Sequence, residues 1–449
     1  MNFFPAFQWK TIAFFCALVA STVVAEEPVE KQIEARIAEI RKEGLPISLD
    51  DLDRWYAQPT LGPNAADTFI TAFAKITEVE LPDRPLIPMA GDALMPGLTE
   101  PLPELMKRLS LQYLSDNQLA LSLLHVSIAV KECRYPVRLT EGVNALLPHA
   151  QHARQAARLL ALDALVQAEQ GNGEDAVLAL ITGIGVARSL AREPILISRL
   201  VQIACQATTL SALERVENRM TLTEAQLGKL ISVLTDSENP DGFVRAMVGE
   251  QCFGLSTFKM SPEELRLLVD GFSNDRREAQ KLVEYLATPS ATLSADRLAY
   301  LDIMRDTIKA SQMSFPEALR VVAGSETKLN GLPDSYRLSR TMLPAMSNTF
   351  NRQARGIAQL RVARTALSIE RYRLAKGNPP KTLDDLLPSY CKSVPVDPFD
   401  GQPLRYKKLA KGYIVYSIGD DMKDNRGTEK DATGKLFTNG TDITFTIER

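Results

Sequence analysis

Cysteine and histidine are scarce in this chain, whose 449 residues include five Cys and three His. Beyond residue 25 the Cys are too few for a scaffold held together by disulfides. They are Cys133, Cys205, Cys252 and Cys391, and no two have the CxxC spacing of a zinc or redox motif. The sequence leaves their pairing open. The alternative is a buried reduced thiol, which we favour for Cys205.

An excess of charge of one sign is also missing. The chain has 52 Lys and Arg against 55 Asp and Glu, a net charge of −3. This balance argues against a nucleic-acid binder that depends on a basic surface. The apolar fraction of 45% is too high for an intrinsically disordered chain. We therefore expect a globular protein with no nucleic-acid partner, in two or three domains at roughly 150 residues each.

Recognisable catalytic motifs are absent from the sequence: there is no P-loop, no Gly-x-Ser-x-Gly and no dinucleotide-binding glycine motif after a strand. His149 and His152 are three residues apart, a spacing that allows two metal ligands on one helix face. With no evident third ligand, we favour helix-start packing or capping. His125 is predicted to be a core residue. For Glu250, beside Cys252, we favour a structural over a catalytic role.

Residues 1–25 have the arrangement of an export signal. Lys10 precedes the apolar run TIAFFCALVA, and the segment ends in Val23-Val24-Ala25, which places small residues before a cut at Glu26. The run is shorter than the ~20 residues that span a bilayer. We predict a cleaved signal peptide and a periplasmic or extracellular protein, with an uncleaved N-terminal anchor as the alternative. The sequence predicts no other membrane span.

Residues 26–345 are predicted to form an α-helical domain. Small residues recur at helical spacing from Ala153 to Ala168, Gly171-Asn172-Gly173 turns the chain, and a return helix is expected over residues 175–190. Residues 81–103 are rich in Pro and Gly and are predicted to be a loop. Helical periodicity resumes over residues 114–132. These patterns indicate an array of packed helices.

The hairpin after residue 153 resembles a tetratricopeptide hairpin in its small and apolar positions, which are Ala164, Gly171, Ala176 and Leu180. The aromatic positions of that repeat are missing, and no second copy follows in register. The resemblance implies a helical-hairpin or solenoid-like domain.

The pattern changes after residue 346. Apolar and small residues from Phe350 to Ile369 recur at helical spacing and predict one long helix. Beyond Gly377 the chain is rich in turns and β-formers. Residues 413–418 alternate as a half-buried strand does, and residues 442–447 predict another strand. Asp400-Gly401 is a tight-turn signal, which makes a further strand pair plausible.

The same region carries a series of short motifs in a fixed order. They are Tyr372, Gly377, Pro379, Pro395-Val396-Asp397-Pro398-Phe399, Gly401-Gln402-Pro403, Tyr406, Tyr413, Ser417, Gly419, Asp421 and Asp442-Ile443. In this order they resemble the globular domain of the major pseudopilins of type II secretion systems. The resemblance covers about residues 347–449 and implies a small α+β unit, a long helix with an antiparallel sheet. About 320 residues precede that helix, so we expect no assembly through an N-terminal pilin helix.

The pseudopilin resemblance also implies a bound Ca²⁺. By family position its ligands are Asp421, Asp442 and the backbone carbonyl of Ile418. An acidic loop suits calcium, which takes six to eight oxygen ligands. Met422 stands where the family usually has Gly, and the loop to Asp442 is longer than usual. The alternative is a solvated acidic turn neutralised by neighbouring Lys and Arg.

The sequence as a whole predicts a mostly α protein: a signal peptide (1–25), an α-helical domain (26–345) and a pseudopilin-like α+β domain (346–449). Our first hypothesis is an exported, non-enzymatic scaffold or interaction protein of the cell envelope, with other envelope or secretion proteins as partners. The alternative is an exported hydrolase whose site is assembled from scattered residues. A deep polar pocket that unites His149, His152 or Glu250 with further acids would favour the hydrolase.

Overall fold

The computed structural model describes residues 27–59, 62–261, 263–264, 266, 276–287, 290–344, 346–428 and 442–449. The predicted signal peptide lies outside the described residues. The fold is mostly helical with a small three-stranded antiparallel sheet near the C-terminal end, which confirms the predicted fold class.

The N-terminal helices are α1 (Val29–Lys42), α2 (Leu49–Trp55), α3 (Ala65–Phe73), α4 (Glu104–Asp116) and α5 (Gln118–Ser127). Residues 81–103 form the expected loop. The helical pattern predicted over residues 114–132 corresponds to the end of α4 and to α5, which ends at Ser127, and the two helices divide at Asn117. The Asn117 amide is buried and holds Thr77, with Oδ1 accepting from Thr77 N at 2.9 Å. This tertiary contact competes with a continuous helix.

The centre of the molecule consists of α6 (Pro148–Glu169), α7 (Gly173–Ser189) and α8 (Leu196–Arg219), each of which contacts the other two. Their facing sides carry small residues. A Cβ at Gly183 of α7 would lie 2.6 Å from Thr209 Oγ1 of α8, so glycine is what permits this close approach.

A second apolar core lies between α1 and the helices that follow α9 (Glu224–Ser237), which itself packs with the central helices. The helices of the second core are α10 (Asp241–Thr257), α11 (Arg276–Ala287), α12 (Ala291–Ser311), α13 (Glu317–Asn330) and α14 (Arg337–Met342). The buried carboxylate of Asp296 on α12 accepts from the backbone N–H groups of Leu338 and Ser339 at 3.0 and 3.1 Å. It thereby satisfies orphan donors at the start of α14.

The C-terminal elements are the long helix α15 (Met346–Lys376) and the strands β1 (Arg405–Lys408), β2 (Tyr413–Ser417) and β3 (Ile443–Ile447). The sheet order is β1-β2-β3, and α15 packs against β2 and β3. The long helix and both predicted strands are confirmed. The half-buried pattern expected for β2 is wrong, since all five residues are buried. The loop at Gly427 covers Ile414 and Tyr416, while Tyr413 points to α15.

Helix α8 covers the β3 edge of the sheet with polar side chains. Glu214 accepts from the N–H of Thr446 at 2.6 Å, and Asn218 donates to the carbonyl of Thr446 at 2.7 Å. Asn218 Oδ1 also accepts from Glu448 N at 2.8 Å. These side chains replace a neighbouring strand and block that edge to strand addition. They also attach the sheet to the helical part of the chain.

Candidate functional site

The histidine pair is not assembled into a metal site. His149 is buried, and its Nε2 lies 2.8 Å from the Glu193 carboxylate, whereas His152 is exposed. The imidazole of His149 stacks on Tyr135, with ring centroids 4.2 Å apart. This is the packing role favoured from the sequence. In the described ranges no three His, Cys, Asp or Glu side chains stand close enough to hold a metal ion.

Glu193 joins the buried histidine to a serine without forming a catalytic triad. Its second carboxylate oxygen accepts from Ser198 Oγ, so serine and histidine bind the same acid. A nucleophilic serine would need its hydrogen bond to the histidine. All three residues are buried, and they join the start of α6 to the α7–α8 connection and α8. The arrangement is a structural cross-link.

Glu250 and His125 also have structural partners. Burial raises the pKa of Glu250 to about 7, and its Oε1 lies 3.4 Å from the N–H of Leu196. His125 Nδ1 lies 2.8 Å from Thr182 Oγ1, and burial lowers the pKa of this imidazole. Neither side chain lines the cleft described below.

All four cysteines beyond residue 25 are free thiols. Burial raises the pKa of Cys133, Cys205 and Cys252 to about 12, which suppresses the reactive thiolate. Cys391 is only partly buried, and burial raises its pKa in the same direction.

The Pro-x-Asp-Pro-aromatic motif is organised around the carboxylate of Asp397. Its Oδ1 accepts from Phe399 N at 3.0 Å and Ser417 Oγ at 2.9 Å. Its Oδ2 accepts from Ile418 N at 2.9 Å and Arg405 Nη1 at 2.7 Å. One fully buried carboxylate therefore fixes the turn, the end of β2 and Arg405 together. This explains why the turn needs Asp and the strand needs Ser.

The aromatic residue of that motif serves the long helix. Phe399 is buried in a small apolar cluster with Ala354, Ala358, Ile418 and Ile443. The two alanines leave room on α15 for the Phe399 ring. The small residues of the helix and the Pro-x-Asp-Pro-aromatic motif therefore pack against each other.

The three predicted calcium ligands lie around the loop that follows β2. Asp442 Oδ2 accepts from Gly427 N at 2.6 Å and its Oδ1 from Asn425 N at 3.2 Å. Desolvation raises the pKa of Asp442, and the carboxylates of Asp424 and Asp421 act in the same direction. The three acids are thus electrostatically coupled. Residues 429–441 of the loop, which include Glu429 and Asp431, lie outside the described residues.

A cleft of about 290 Å³ opens between the helical part and α15. Its walls come from α8, the α9–α10 junction, the α12–α13 loop and α15. The apolar lining includes Ile203, Phe243, Phe315 and Leu360. The volume lies near the lower limit of ligand pockets, roughly 300–1,000 Å³. The cleft is therefore the candidate binding site.

Arg199 provides the positive charge of the cleft. The residue is only 7% exposed, and its Nε donates to Gln353 Oε1 at 3.0 Å and its Nη1 to Gln202 Oε1 at 2.7 Å. Both acceptors are neutral amides. Burial alone accounts for the lowering of the Arg199 pKa to about 10, and no described carboxylate opposes it. Arg199 is thus a buried cation without a described counter-ion.

At another side of the cleft, Glu238 is neutralised by two arginines of α15. Arg361 Nε donates to Glu238 Oε1 at 2.7 Å, and Arg364 Nη2 lies 3.1 Å from Oε2. Because this acid is already paired, it leaves the charge of Arg199 uncompensated. The cleft lining as described carries a net positive charge.

Sequence reasoning missed Arg199, although a local signal exists. The guanidinium interrupts an apolar helical run, Leu196-Ile197-Ser198-Arg199-Leu200-Val201. Gln353, its partner, is 154 residues away, so no spacing rule links the two. The sequence analysis predicted no further membrane span, but helix α8 is long and apolar enough to cross a membrane by length and composition. In this fold most of its apolar segment is buried.

Comparison with known proteins identifies no relative. No family model matches the chain, and neither a curated protein nor a solved structure matches it.

Proposed function

We propose that the chain is an exported, non-enzymatic scaffold or interaction protein of the cell envelope. One observation supports this proposal above the others: two of the side chains that the sequence offered for catalysis, His149 and Glu250, are engaged in structural contacts. His149 is held by Glu193 and Tyr135, and Glu250 Oε1 lies 3.4 Å from the N–H of Leu196. A general base needs access to substrate, and the buried His149 lacks it.

The surface of α3–α5 supports an interaction role. Large apolar side chains are exposed along these helices: Ile70, Leu105, Leu111, Leu119 and Val126. Val126 is 64% and Leu119 59% exposed. Helix α5 contacts both α3 and α4, and exposed apolar residues on neighbouring helices suit a contact surface. Envelope or secretion proteins are the proposed partners.

Localisation is tested by fractionating cells that produce the full chain and measuring its intact mass. We expect the protein in the periplasm or medium with residues 1–25 removed. Recovery of a cytosolic chain that retains the leader would contradict export.

The catalytic alternative is tested with chromogenic ester, peptide, glycoside and phosphate substrates. We expect no turnover above buffer for the wild type. Turnover that both His149→Gln and Glu250→Gln abolish, while Glu34→Gln retains it, would establish the hydrolase instead. Glu34 is an exposed matched control on α1.

Calcium belongs to the same proposal as a stabilising ligand of the pseudopilin-like unit. The carboxylates of Asp424 and Asp421 both raise the pKa of Asp442, and a divalent cation beside Asp442 would offset that repulsion. We expect EDTA to lower the Tm of the full chain and excess Ca²⁺ to restore it. Asp442→Asn should remove the response, while Asp384→Asn, an exposed control, should keep it. A Tm that is indifferent to both EDTA and Ca²⁺ would eliminate the metal.

A further inference from the structure

Arg199 differs from three partly buried arginines that hold a place in the fold. Arg219 is paired with Glu169, Arg405 with Asp397 and Asp400, and Arg449 with Glu217 and Glu370. Arg199 has only the amide oxygens of Gln353 and Gln202 among the described residues. Burial of a cation without a partner is costly, so an arginine in this position requires another explanation.

The cleft supplies that explanation, because Arg199 lies in its wall. The two described hydrogen bonds use Nε and one hydrogen of Nη1, which leaves further guanidinium N–H donors for a ligand. Gln206, also in the wall, is held in place by its bond to the carbonyl of Gly356 at 3.2 Å. The amide oxygens of Gln353 and Gln202 thus position the Arg199 guanidinium without neutralising its charge.

Shape and lining determine which anion suits the site. A planar guanidinium fits a carboxylate through paired hydrogen bonds. The apolar side chains of Ile203, Phe243 and Phe315 suit a hydrocarbon body, which a free inorganic anion lacks. Glu238 does not repel such a ligand, since Arg361 and Arg364 hold it.

We propose that this cleft binds a small organic carboxylate, whose carboxylate pairs with Arg199 and whose apolar body lies among Ile203, Phe243 and Phe315. The inference stands apart from the scaffold role, because a scaffold can bind such a ligand and an enzyme can as well. It assigns a ligand class to the junction between the helical part and α15.

The test uses phenylacetate as the probe and 2-phenylethanol as its neutral match, both titrated into the full chain by calorimetry. We expect phenylacetate to bind, with the alcohol and inorganic phosphate each at least about tenfold weaker. Loss of a charge-assisted hydrogen-bonded pair has an effect of that order. No phenylacetate binding, equal binding of the alcohol, or equal binding of phosphate overturns the proposal.

Two variants tie the binding to this cleft. Arg199→Met keeps an unbranched apolar stem and removes the guanidinium charge, and should weaken phenylacetate binding at least about tenfold. Ser314→Trp places a ring at the exposed rim of the cleft and alters no buried contact, so it should also weaken binding if Arg199→Met fails to fold. Ser314→Ala is the matched control and should bind as the wild type does. Unchanged binding in Ser314→Trp overturns the assignment.

Discussion

At the scale of single residues, the buried carboxylates fall into two kinds. Asp397 accepts hydrogen bonds on both oxygens and pairs with Arg405. Glu217 is equally buried, but its Oε1 has no hydrogen-bond partner in the described part of the chain. The first kind stabilises the fold as an anion. The second does so as a neutral acid, and the two respond oppositely to substitution.

Substitution of Asp397 tests the first kind. Asp397→Asn removes the charge opposite Arg405 and replaces one acceptor by a donor that faces other donors. We expect a loss of about 3 kcal/mol in the free energy of unfolding, since the buried ion pair with Arg405 is lost and the new amide N–H groups face other donors. Urea denaturation measures it, with the exposed Asp384→Asn as control. A loss no larger than that of the control would contradict the role assigned to Asp397.

The raised pKa of Glu217 predicts that the free energy of unfolding depends on pH. Desolvation and the nearby Glu370 raise its pKa to about 8, against the lowering effects of Arg449 and Arg373. The folded carboxyl keeps its proton up to that pH, whereas the unfolded one releases it near the ordinary glutamate pKa of 4.5. Stability is therefore lost as the pH rises through this window, by at most about 1.4 kcal/mol per pH unit.

The measurement is the difference in unfolding free energy between Glu217→Gln and the wild type at pH 5 and pH 8.5. Glutamine mimics the protonated acid, so we expect near equality at pH 5 and a more stable variant at pH 8.5. Glu34→Gln serves as the exposed control. A difference that does not change with pH would refute the raised pKa.

At the scale of elements, the sequence predicted what local signals determine. The loop over residues 81–103 and the turn between α6 and α7 follow from neighbouring residues. The break at Asn117 and the full burial of β2 depend on Thr77 and on the loop at Gly427, which are distant in sequence. The same limit applies to the cleft, whose cation and amide partner come from α8 and α15.

Close helix approaches make a prediction about glycine. A Cβ at Gly249 of α10 would overlap the backbone carbonyl of Pro194, whereas nothing lies within 4 Å of one at Gly228 of α9. Gly249→Ala should therefore lower the unfolding free energy by about 2 kcal/mol through overpacking. Gly228→Ala should raise it by about 0.5–1 kcal/mol, since alanine is the better helix former.

Both glycine variants are compared by urea denaturation under one set of conditions. If the unfolding free energy falls for Gly249→Ala and rises for Gly228→Ala, the effect of packing is distinguished from the effect of helix propensity. Stabilisation by Gly249→Ala would show that α10 does not approach the α7–α8 connection as described.

At the scale of the whole molecule, the C-terminal elements and the helical part share one apolar core. Residues of α6–α9 lie in the same cluster as Leu360, Leu367, Tyr413 and Phe445. Arg449 reinforces this junction, with Nη2 at 2.7 Å from Glu370 and 3.4 Å from Glu217. The resemblance to a compact pseudopilin unit predicted the helix and sheet, but local motifs gave no sign of how much of α15 faces the other helices.

This shared core predicts that residues 346–449 do not fold as a separate piece. Isolation would expose the side of α15 that contacts α8 and α9 and would leave the β3 edge without Glu214 and Asn218. The remaining apolar cluster around Phe399 is small, and roughly 100 residues with little buried surface are marginal. We expect the fragment to lack a cooperative thermal transition by circular dichroism, while the full chain shows one. A fragment that unfolds cooperatively and gives dispersed NMR signals would mean that residues 346–449 are an autonomous domain. Its contacts with α8 would then stabilise a fold that forms without them.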